Sequence, residues 1–189
     1  MSQMEVRLKV PDYIVDLIER RGQVGQSDTE RMALAIALAA ENIKHGGGPF
    51  GSGIFDMDSG ELIAPGVNLV VPESCSLYHG EITAIIFAQQ AVGHFDLAAV
   101  GNFELVTSAE PCVQCYGAIP WSGVRRVVYG ATCEDVEAIG FDEGPKPANW
   151  IEALNSRNIE VIGPVLQDDA VAVLQDYRAG GHPIYNSES

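Results

Sequence analysis

Basic residues are scarce in this sequence. Lysine and arginine together number 11, against 26 aspartates and glutamates, and the formal net charge is −15. The basic residues are scattered along the chain, so no basic stretch offsets the acidic total. A surface of this sign repels phosphate groups, which argues against nucleic acid as a partner.

Long apolar runs are also missing. The most apolar run, residues 32–40, is far shorter than the ~20 residues that a membrane-spanning helix needs. The N-terminal residues mix Glu5, Arg7, Lys9 and Asp12 among apolar ones, unlike the apolar core and cleavage site of a secretory signal. We therefore expect no membrane partner and a cytoplasmic protein.

Cysteine is limited to four residues. In a reducing compartment a close pair such as Cys112 and Cys115 binds metal or does chemistry more often than it forms a disulfide. This spacing alone leaves a disulfide, a redox pair and a structural zinc site open. Cys75 or Cys133 as a fourth ligand would close a zinc site, but we interpret both as small apolar groups.

The 189 residues, 47% of them apolar, predict one globular domain. We divide it into an N-terminal extension (1–26) with a short helix near 12–18, a core (27–145), and a C-terminal strand, helix and tail (146–189). The capping-box pattern of Ser27 and Glu30 predicts a helix that ends near His45. Further strands are predicted at 53–56, 62–70, 104–107, 125–129 and 159–162, and further helices at 80–92, from 111, at 150–155 and at 168–178. This order predicts an α/β fold, a three-layer α/β/α arrangement around a central mixed sheet.

Two short motifs carry metal-binding chemistry, and both are predicted at helix N-termini. They are H-G-E at 79–81 and P-C-V-Q-C at 111–115. Cys112 and Cys115 are three residues apart, so they share a helix face, and the positive helix end favours the thiolate that binds zinc. Together with His79 they make three ligands, which leaves the fourth tetrahedral position to water, as in catalytic zinc sites. We predict one Zn2+ per chain with a bound water or hydroxide.

Glu81 stands two residues after the histidine, close enough to reach a zinc-bound water without being a ligand. A carboxylate in that position moves protons as a general acid and base. The combination of H-x-E with a later P-C-x-x-C is the signature of zinc-dependent deaminases. The sequence therefore predicts a hydrolytic site with Glu81 as the proton carrier.

On these motifs the chain resembles the cytidine-deaminase-like superfamily, on its purine-deaminase side, over roughly residues 27–145. P-F-G at 49–51, Asn68 and V-V-Y-G at 127–130 fall in the order and spacing of that family. Trp121-Ser122 and G-F-D-E at 140–143 most resemble guanine deaminases. The resemblance implies a cytidine-deaminase-like fold and hydrolysis of a free nucleobase, with guanine attacked at C2 to give xanthine and ammonia.

Two positions depart from the family pattern. Gly80 stands where the family usually has alanine, which loosens the backbone beside the substrate. Val113 and Gln114 replace the common Pro-Met pair between the cysteines, but the spacing of the metal ligands is unchanged. The second departure therefore leaves the predicted metal geometry intact.

The resemblance also implies roles for residues around the substrate. Asn68 would hydrogen-bond the base, the backbone at Gly80 would lie against the reacting centre, and Phe50 and Trp121 would line the pocket. For both aromatic residues the competing interpretation is an ordinary place in the core.

Three residues later in the chain complete the site that the resemblance implies. Asp142 and Glu143 would accept the amidine hydrogens of guanine, and Glu143 would help move a proton to the leaving amine. The competing interpretation makes both of them solvated loop residues. Related guanine deaminases exchange C-terminal segments in dimers, which implies a homodimer with Tyr185 folded over the site.

Other functions fit parts of the same pattern. An aminotriazine or cytosine deaminase would use the same zinc site, as would a tRNA adenosine deaminase, although the net charge argues against tRNA. A zinc-stabilised binding module without catalysis is the alternative outside enzymes. Glu81 argues against that module, because a purely structural zinc site has no use for the carboxylate.

Overall fold

The computed structural model describes residues 6–186. Residues 1–5 and 187–189, the ends of the predicted extension and tail, lie outside the described residues. The helices and strands are, in chain order, α1 (Asp12–Arg21), α2 (Asp28–Lys44), β1 (Gly51–Asp56), β2 (Leu62–Val67), α3 (Gly80–Val92), β3 (Phe103–Ala109), α4 (Val113–Ser122), β4 (Arg126–Ala131), α5 (Cys133–Ala138), α6 (Trp150–Asn155), β5 (Glu160–Ile162) and α7 (Gln167–Ala179). A 3-10 turn, Leu97–Ala99, precedes β3. Within residues 6–186 no helix has both the length and the apolar content that a bilayer crossing demands.

The strands form one mixed sheet in the order β2-β1-β3-β4-β5. Strand β1 is antiparallel to β2 and β3, whereas β3, β4 and β5 run parallel to one another. Consecutive strand residues point to opposite faces, and Leu105 packs in a different core cluster from its neighbour Val106. The Leu105 face packs against α3, α4 and α6, and the Val106 face against α1 and α2. The predicted three-layer α/β/α fold is confirmed.

The topology brings three chain segments together at one edge of the sheet. Gly51 at the start of β1 pairs with Val67 at the end of β2, and Ser52 pairs with Thr107 near the end of β3. The residues just before β1, just after β2 and just after β3 therefore meet there. These segments contain the P-F-G motif, Asn68 and the start of the P-C-V-Q-C motif, which explains how motifs distant in sequence form one site.

Three local predictions are corrected by the structure. The strand predicted at 62–70 ends at Val67, because the chain turns there and the Asn68 side chain accepts a hydrogen bond from the amide of Val70 at 3.2 Å. Helix α4 begins at Val113, with Cys112 as its N-cap, rather than at residue 111. Helix α5 was not predicted, although Thr132 caps it in a capping box with Asp135.

Candidate active site

The three predicted metal ligands lie together at two helix N-termini. His79 is the N-cap of α3, Cys112 is the N-cap of α4, and Cys115 is in the first turn of α4. The Sγ atoms of Cys112 and Cys115 lie 3.4 and 3.6 Å from Nδ1 of His79. All three ligand atoms are within 4.8 Å of one another.

This donor set fits a zinc ion. Tetrahedral zinc with sulfur at ~2.3 Å and nitrogen at ~2.0 Å places these donor atoms about 3.6 Å apart, and the observed sulfur–nitrogen distances match that separation. Two thiols and an imidazole are also the ligand chemistry that zinc favours. Among the described residues, the group able to hold a metal contains neither Cys75 nor Cys133. The donor set thus has three members, as an open catalytic site requires.

The cysteine thiols differ in their electrostatic surroundings. Hydrogen bonds from Cys115 and His79 lower the pKa of Cys112 to about 4, despite its burial. Burial raises the pKa of the Cys115 thiol well above its usual range, and the hydrogen bond with Cys112 raises it further. Cys112 is therefore a thiolate at neutral pH, which is the form that binds zinc.

A cavity of about 290 Å³ opens beside the metal ligands. Among the residues predicted to form the site, those that line the cavity are Phe50, Asn68, His79, Glu81, Cys112, Asp142, Glu143 and Tyr185. The other predicted site residues are Gly80, Cys115 and Trp121. The structure thus brings most of the predicted residues together around one space.

Two of these three residues lie just outside the cavity. Cys115 is buried behind it. Gly80 faces β1, where a Cβ atom would stand 3.1 Å from Oγ of Ser52 and 3.4 Å from the carbonyl oxygen of Phe50. This tight approach is a physical reason for glycine where the family usually has alanine.

Trp121 lies away from the cavity. Its side chain is 81% exposed near the end of α4, and it is not among the residues that line the site. Within one chain, the structure therefore does not place the indole where the pocket prediction requires it. The competing interpretation, a place in the core, is wrong because the side chain is exposed.

Glu81 lies in the first turn of α3 and is buried. Burial raises the pKa of its carboxyl group, and the negative charge of Cys112 raises it further. A raised pKa helps a carboxyl group both to take and to return a proton near neutral pH. The position and the electrostatics both suit a proton carrier.

Glu143 is the second buried carboxyl group at the cavity. Its Oε2 atom is buried without a hydrogen-bond partner among the described residues. Burial, followed by the charges of Cys112 and Glu81, raises its pKa to about 9. The backbone of this residue is fixed, because its carbonyl oxygen accepts a hydrogen bond from the amide of Val113 at 3.0 Å.

Asp142, unlike the buried Glu143, lies in an exposed position. Its carboxylate accepts a hydrogen bond from the amide of Gly144 at 2.8 Å, and its own amide donates to Oδ1 of Asn186 at 3.0 Å. The side chain lines the cavity but is exposed and holds a turn. That turn presents Glu143 to the cavity.

Aromatic rings close the far side of the cavity. Phe141 packs edge-to-face with Phe50, at 5.2 Å between ring centroids, and with Tyr185, at 4.8 Å. The Tyr185 hydroxyl is buried with no hydrogen-bond partner among the described residues. A Cβ atom at Gly48 would lie 2.0 Å from that hydroxyl oxygen, so the chain at residue 48 must be glycine for the ring to sit there.

Several further residues line the cavity that were not predicted as site residues from the sequence, namely Ser76, Ala109, Glu110, Val113, Gln114, Phe141, Gly144 and Asn186. The signal that was available is the position of four of them in or directly before the P-C-V-Q-C and G-F-D-E motifs: Glu110, Val113, Gln114 and Phe141. Asn186 carried none, since its contact with the loop at 142 joins residues that are 44 positions apart.

The fold and the site together define a class of protein. A three-layer α/β/α domain holds an open His-Cys-Cys zinc site at a sheet edge, with a buried glutamate beside it and a small cavity in front of it. This is the arrangement of a zinc-dependent hydrolase.

Comparison with known protein families supports the same class of protein. Residues 26–131 match the family model described as the cytidine and deoxycytidylate deaminase zinc-binding region. The chain belongs to this family and is a zinc-dependent hydrolytic deaminase, which confirms the resemblance seen in the sequence.

Several individual proteins are similar to this chain. The crystal structure of guanine deaminase from Nitrosomonas europaea is 44% identical, with a TM-score of 0.88 over 94% of this chain and 100% of that one. A structure solved in complex with 8-azaguanine is 45% identical, with a TM-score of 0.87 over 93% of this chain and 98% of that one. Guanine deaminase from Bacillus subtilis is 39% identical over 110 residues, which are 58% of this chain and 67% of the relative.

Proposed function

We propose that this enzyme deaminates free guanine to xanthine and ammonia. The observation that carries the proposal is the buried Oε2 atom of Glu143, which has no hydrogen-bond partner among residues 6–186 and faces the cavity beside the metal ligands. Guanine presents amidine hydrogens, and a carboxyl oxygen of Glu143 can accept one of them even when the group is protonated, as its raised pKa implies. A buried acceptor without a partner is costly, so a bound ligand that donates to it is favoured.

The size and chemistry of the cavity support a free base. The volume of about 290 Å³ and the rings of Phe50, Phe141 and Tyr185 suit one flat aromatic ligand. None of the described residues that line the cavity is lysine or arginine. A nucleotide or tRNA substrate would leave its phosphates without basic partners in this acidic protein.

The base is held by residues on two sides of the cavity. Asn68 is buried, and its carboxamide faces the cavity, where it hydrogen-bonds the substrate. The Phe50 ring keeps the base flat, and the backbone at Gly80 lies against the reacting carbon. The Tyr185 hydroxyl supplies a further polar contact from the C-terminal segment.

In the proposed reaction, Glu81 and Glu143 carry out different proton transfers. His79, Cys112 and Cys115 would hold one zinc ion per chain, which when bound would act as a Lewis acid and make water nucleophilic near neutral pH. Glu81 takes the proton that this water loses and delivers it to a ring nitrogen next to C2. After oxygen adds to C2, Glu143 helps pass the proton of the new C2 hydroxyl to the amino group, so that the C2–N bond breaks, ammonia leaves and the C2 carbonyl forms.

A substrate panel tests the proposal. The zinc-loaded protein is incubated separately with guanine, adenine, cytosine, an aminotriazine and tRNA, and ammonia release is measured. We expect guanine to give the highest kcat/KM. Guanine inert with another base active would overturn the substrate assignment, and no release from any of them would favour a binding module.

Glu143→Gln is expected to lower kcat for guanine by about 10²- to 10⁴-fold, the usual contribution of one general acid or base. Glutamine keeps the size and polarity of the side chain but cannot transfer the proton. The matched control is Glu152→Gln, at an exposed position on α6 outside the cavity lining, which should keep native kcat. Full guanine turnover by Glu143→Gln would remove Glu143 from the mechanism.

We also propose that the enzyme is a homodimer and that Trp121 lies in its interface. Trp121 is 81% exposed and Leu77 is 58% exposed. Gln114, whose amide lies 3.4 Å from the carbonyl oxygen of Leu77, is two helical turns before Trp121 on the same face of α4. Exposed large apolar side chains near one another mark contact surfaces.

Sedimentation measures this directly. We expect a mass twice the chain mass of 20.2 kDa for the native protein, and dissociation for Trp121→Asp. A native protein that sediments as a single chain would rule out the dimer.

The site of action that we propose is the cytoplasm. All four cysteines, which are among the described residues, are free thiols, and two of them serve as metal ligands. Thiols persist in a reducing compartment. Fractionation of the source cells with detection of the protein tests this, and recovery outside the cytoplasm would contradict it.

A further inference from the structure

The loop between α5 and α6 carries Glu143, so its attachment to the rest of the protein decides where that carboxyl group lies. Beyond the amide of Val113 and the side chain of Asn186, a buried lysine attaches this loop. The Nζ atom of Lys146 donates to Oε1 of Glu110 and to the carbonyl oxygen of Pro111, the latter at 2.8 Å. These partners directly precede the metal ligand Cys112.

The ammonium group of Lys146 is fully enclosed. Its side chain is 6% exposed and that of Glu110 is 10% exposed. The Nζ atom also lies 4.7 Å from the centre of the Trp150 ring, within range of a cation–π contact. The ammonium group therefore has two hydrogen-bond acceptors and an aromatic ring beside it.

The other end of this contact is rigid. The amide of Glu110 donates to the carbonyl oxygen of Ala131 at 2.8 Å, and its Oε2 atom accepts from the amide of Cys133 at 3.4 Å. Glu110 is thereby fixed to the end of β4 and the start of α5. Lys146 thus joins the loop that carries Glu143 to Glu110, which is held at the end of β4 beside the start of α4.

A buried ion pair is a costly way to gain stability, because an apolar pair of similar volume often serves as well or better. What an ion pair adds is a defined geometry. Here the defined geometry is the distance between the loop of Glu143 and the helix that carries both cysteines. Gly144 also packs on Val113 so closely that a Cβ atom would lie 2.4 Å from its Cγ1.

We propose that Lys146 is a positioning residue that fastens the Glu143 loop to the start of α4, and that proton transfer by Glu143 depends on this attachment. The inference rests on the proposed function only for its effect on turnover, since the attachment itself is independent of the substrate. Glu110 is its partner and acts through the same contact.

Three variants test the attachment. Lys146→Met keeps the length and apolar contacts of the side chain but cannot donate. Lys146→Met/Glu110→Gln removes the loop contact without leaving an unpaired buried charge, so it also serves if the single variant folds poorly. Lys44→Met is the matched control, because it breaks the ion pair of the exposed Lys44 with Glu41, and neither residue lines the cavity.

The readouts are amide hydrogen exchange over residues 140–147, melting temperature, zinc content, and kcat and KM for guanine. We expect Lys146→Met to bind zinc, to exchange these amides at least about tenfold faster, and to lose about 100-fold in kcat, the effect of roughly 1 Å of misplacement. The double variant should regain melting temperature but not kcat. Lys44→Met should match the native protein in all readouts.

Two results would overturn the inference. Native exchange rates and native kcat in Lys146→Met would show that the loop does not depend on the lysine. Recovery of kcat together with melting temperature in the double variant would show that Lys146 only neutralises Glu110. If the native protein does not turn over guanine, the proposed function fails, whereas the exchange rates still decide the attachment.

Discussion

Glu81→Gln is expected to bind zinc normally and to lose about 10³- to 10⁴-fold in kcat, the upper range for one acid–base group. Glutamine has nearly the same shape as glutamate, and Glu81 is not one of the metal ligands, so the metal site should persist. The amide cannot take a proton from water or return it to the base. The loss should therefore fall on kcat, with a much smaller change in KM.

Zinc content by elemental analysis and steady-state kinetics on the same sample check this expectation. Glu152→Gln, at an exposed position on α6, is the control and should be unaffected. Loss of zinc from the Glu81→Gln variant would show that Glu81 is a metal ligand. A variant with native kcat would show that another group carries the proton.

Cys115→Ser is expected to lose zinc and, with it, all measurable turnover. A hydroxyl group is not deprotonated at neutral pH, so the site would lose one of its three anionic or imidazole donors. The affinity for zinc should fall by more than about 100-fold, the largest effect seen for loss of an outer-shell partner alone. Titration with a chromogenic chelator at fixed protein concentration measures it.

The control for this variant is Cys133→Ser. Cys133 is not part of the group that can hold a metal, so this protein should keep one zinc per chain and native activity. Loss of zinc from Cys133→Ser would show that it is a fourth ligand and that the site is closed. Stoichiometric zinc and turnover in Cys115→Ser would refute the ligand assignment.

Much of the fold follows from local sequence signals, with clear exceptions. The capping box at Ser27 and the apolar strand residues set the places of α2 and the sheet, because capping and alternation act within a few residues. Helix α5 escaped prediction because its capping box has Asp135 at the third position, where the usual sequence pattern has glutamate or glutamine. The end of β2 depends on the side chain of Asn68, which a count of apolar residues does not register.

The site residues also differ in how far the sequence alone predicts them. Two short motifs contain His79, Glu81 and the two cysteines, and the spacing within them predicts the metal ligands. Glu143 and Tyr185 were implied by the family resemblance, and the structure shows that the Glu143 side chain and the Tyr185 hydroxyl are buried, which the sequence of a loop does not reveal. The division of the chain into extension, core and C-terminal part stays a prediction.

Contacts between residues far apart in the sequence could not be predicted from local sequence patterns. The pairing of Lys146 with Glu110 spans 36 positions and depends on where α4 begins relative to the loop. Trp121 shows the reverse case, since its place beside the cysteines in sequence does not bring its side chain to the cavity of its own chain.

The most direct test of a zinc-dependent guanine deaminase is isotope transfer from water. Guanine is incubated with the zinc-loaded protein in oxygen-18-labelled water, and the product is examined by mass spectrometry while ammonia is assayed. We expect xanthine with one labelled oxygen at C2 and one ammonia per xanthine, and no product after zinc removal. Unchanged guanine with the zinc-loaded protein, or unlabelled xanthine, would contradict the account.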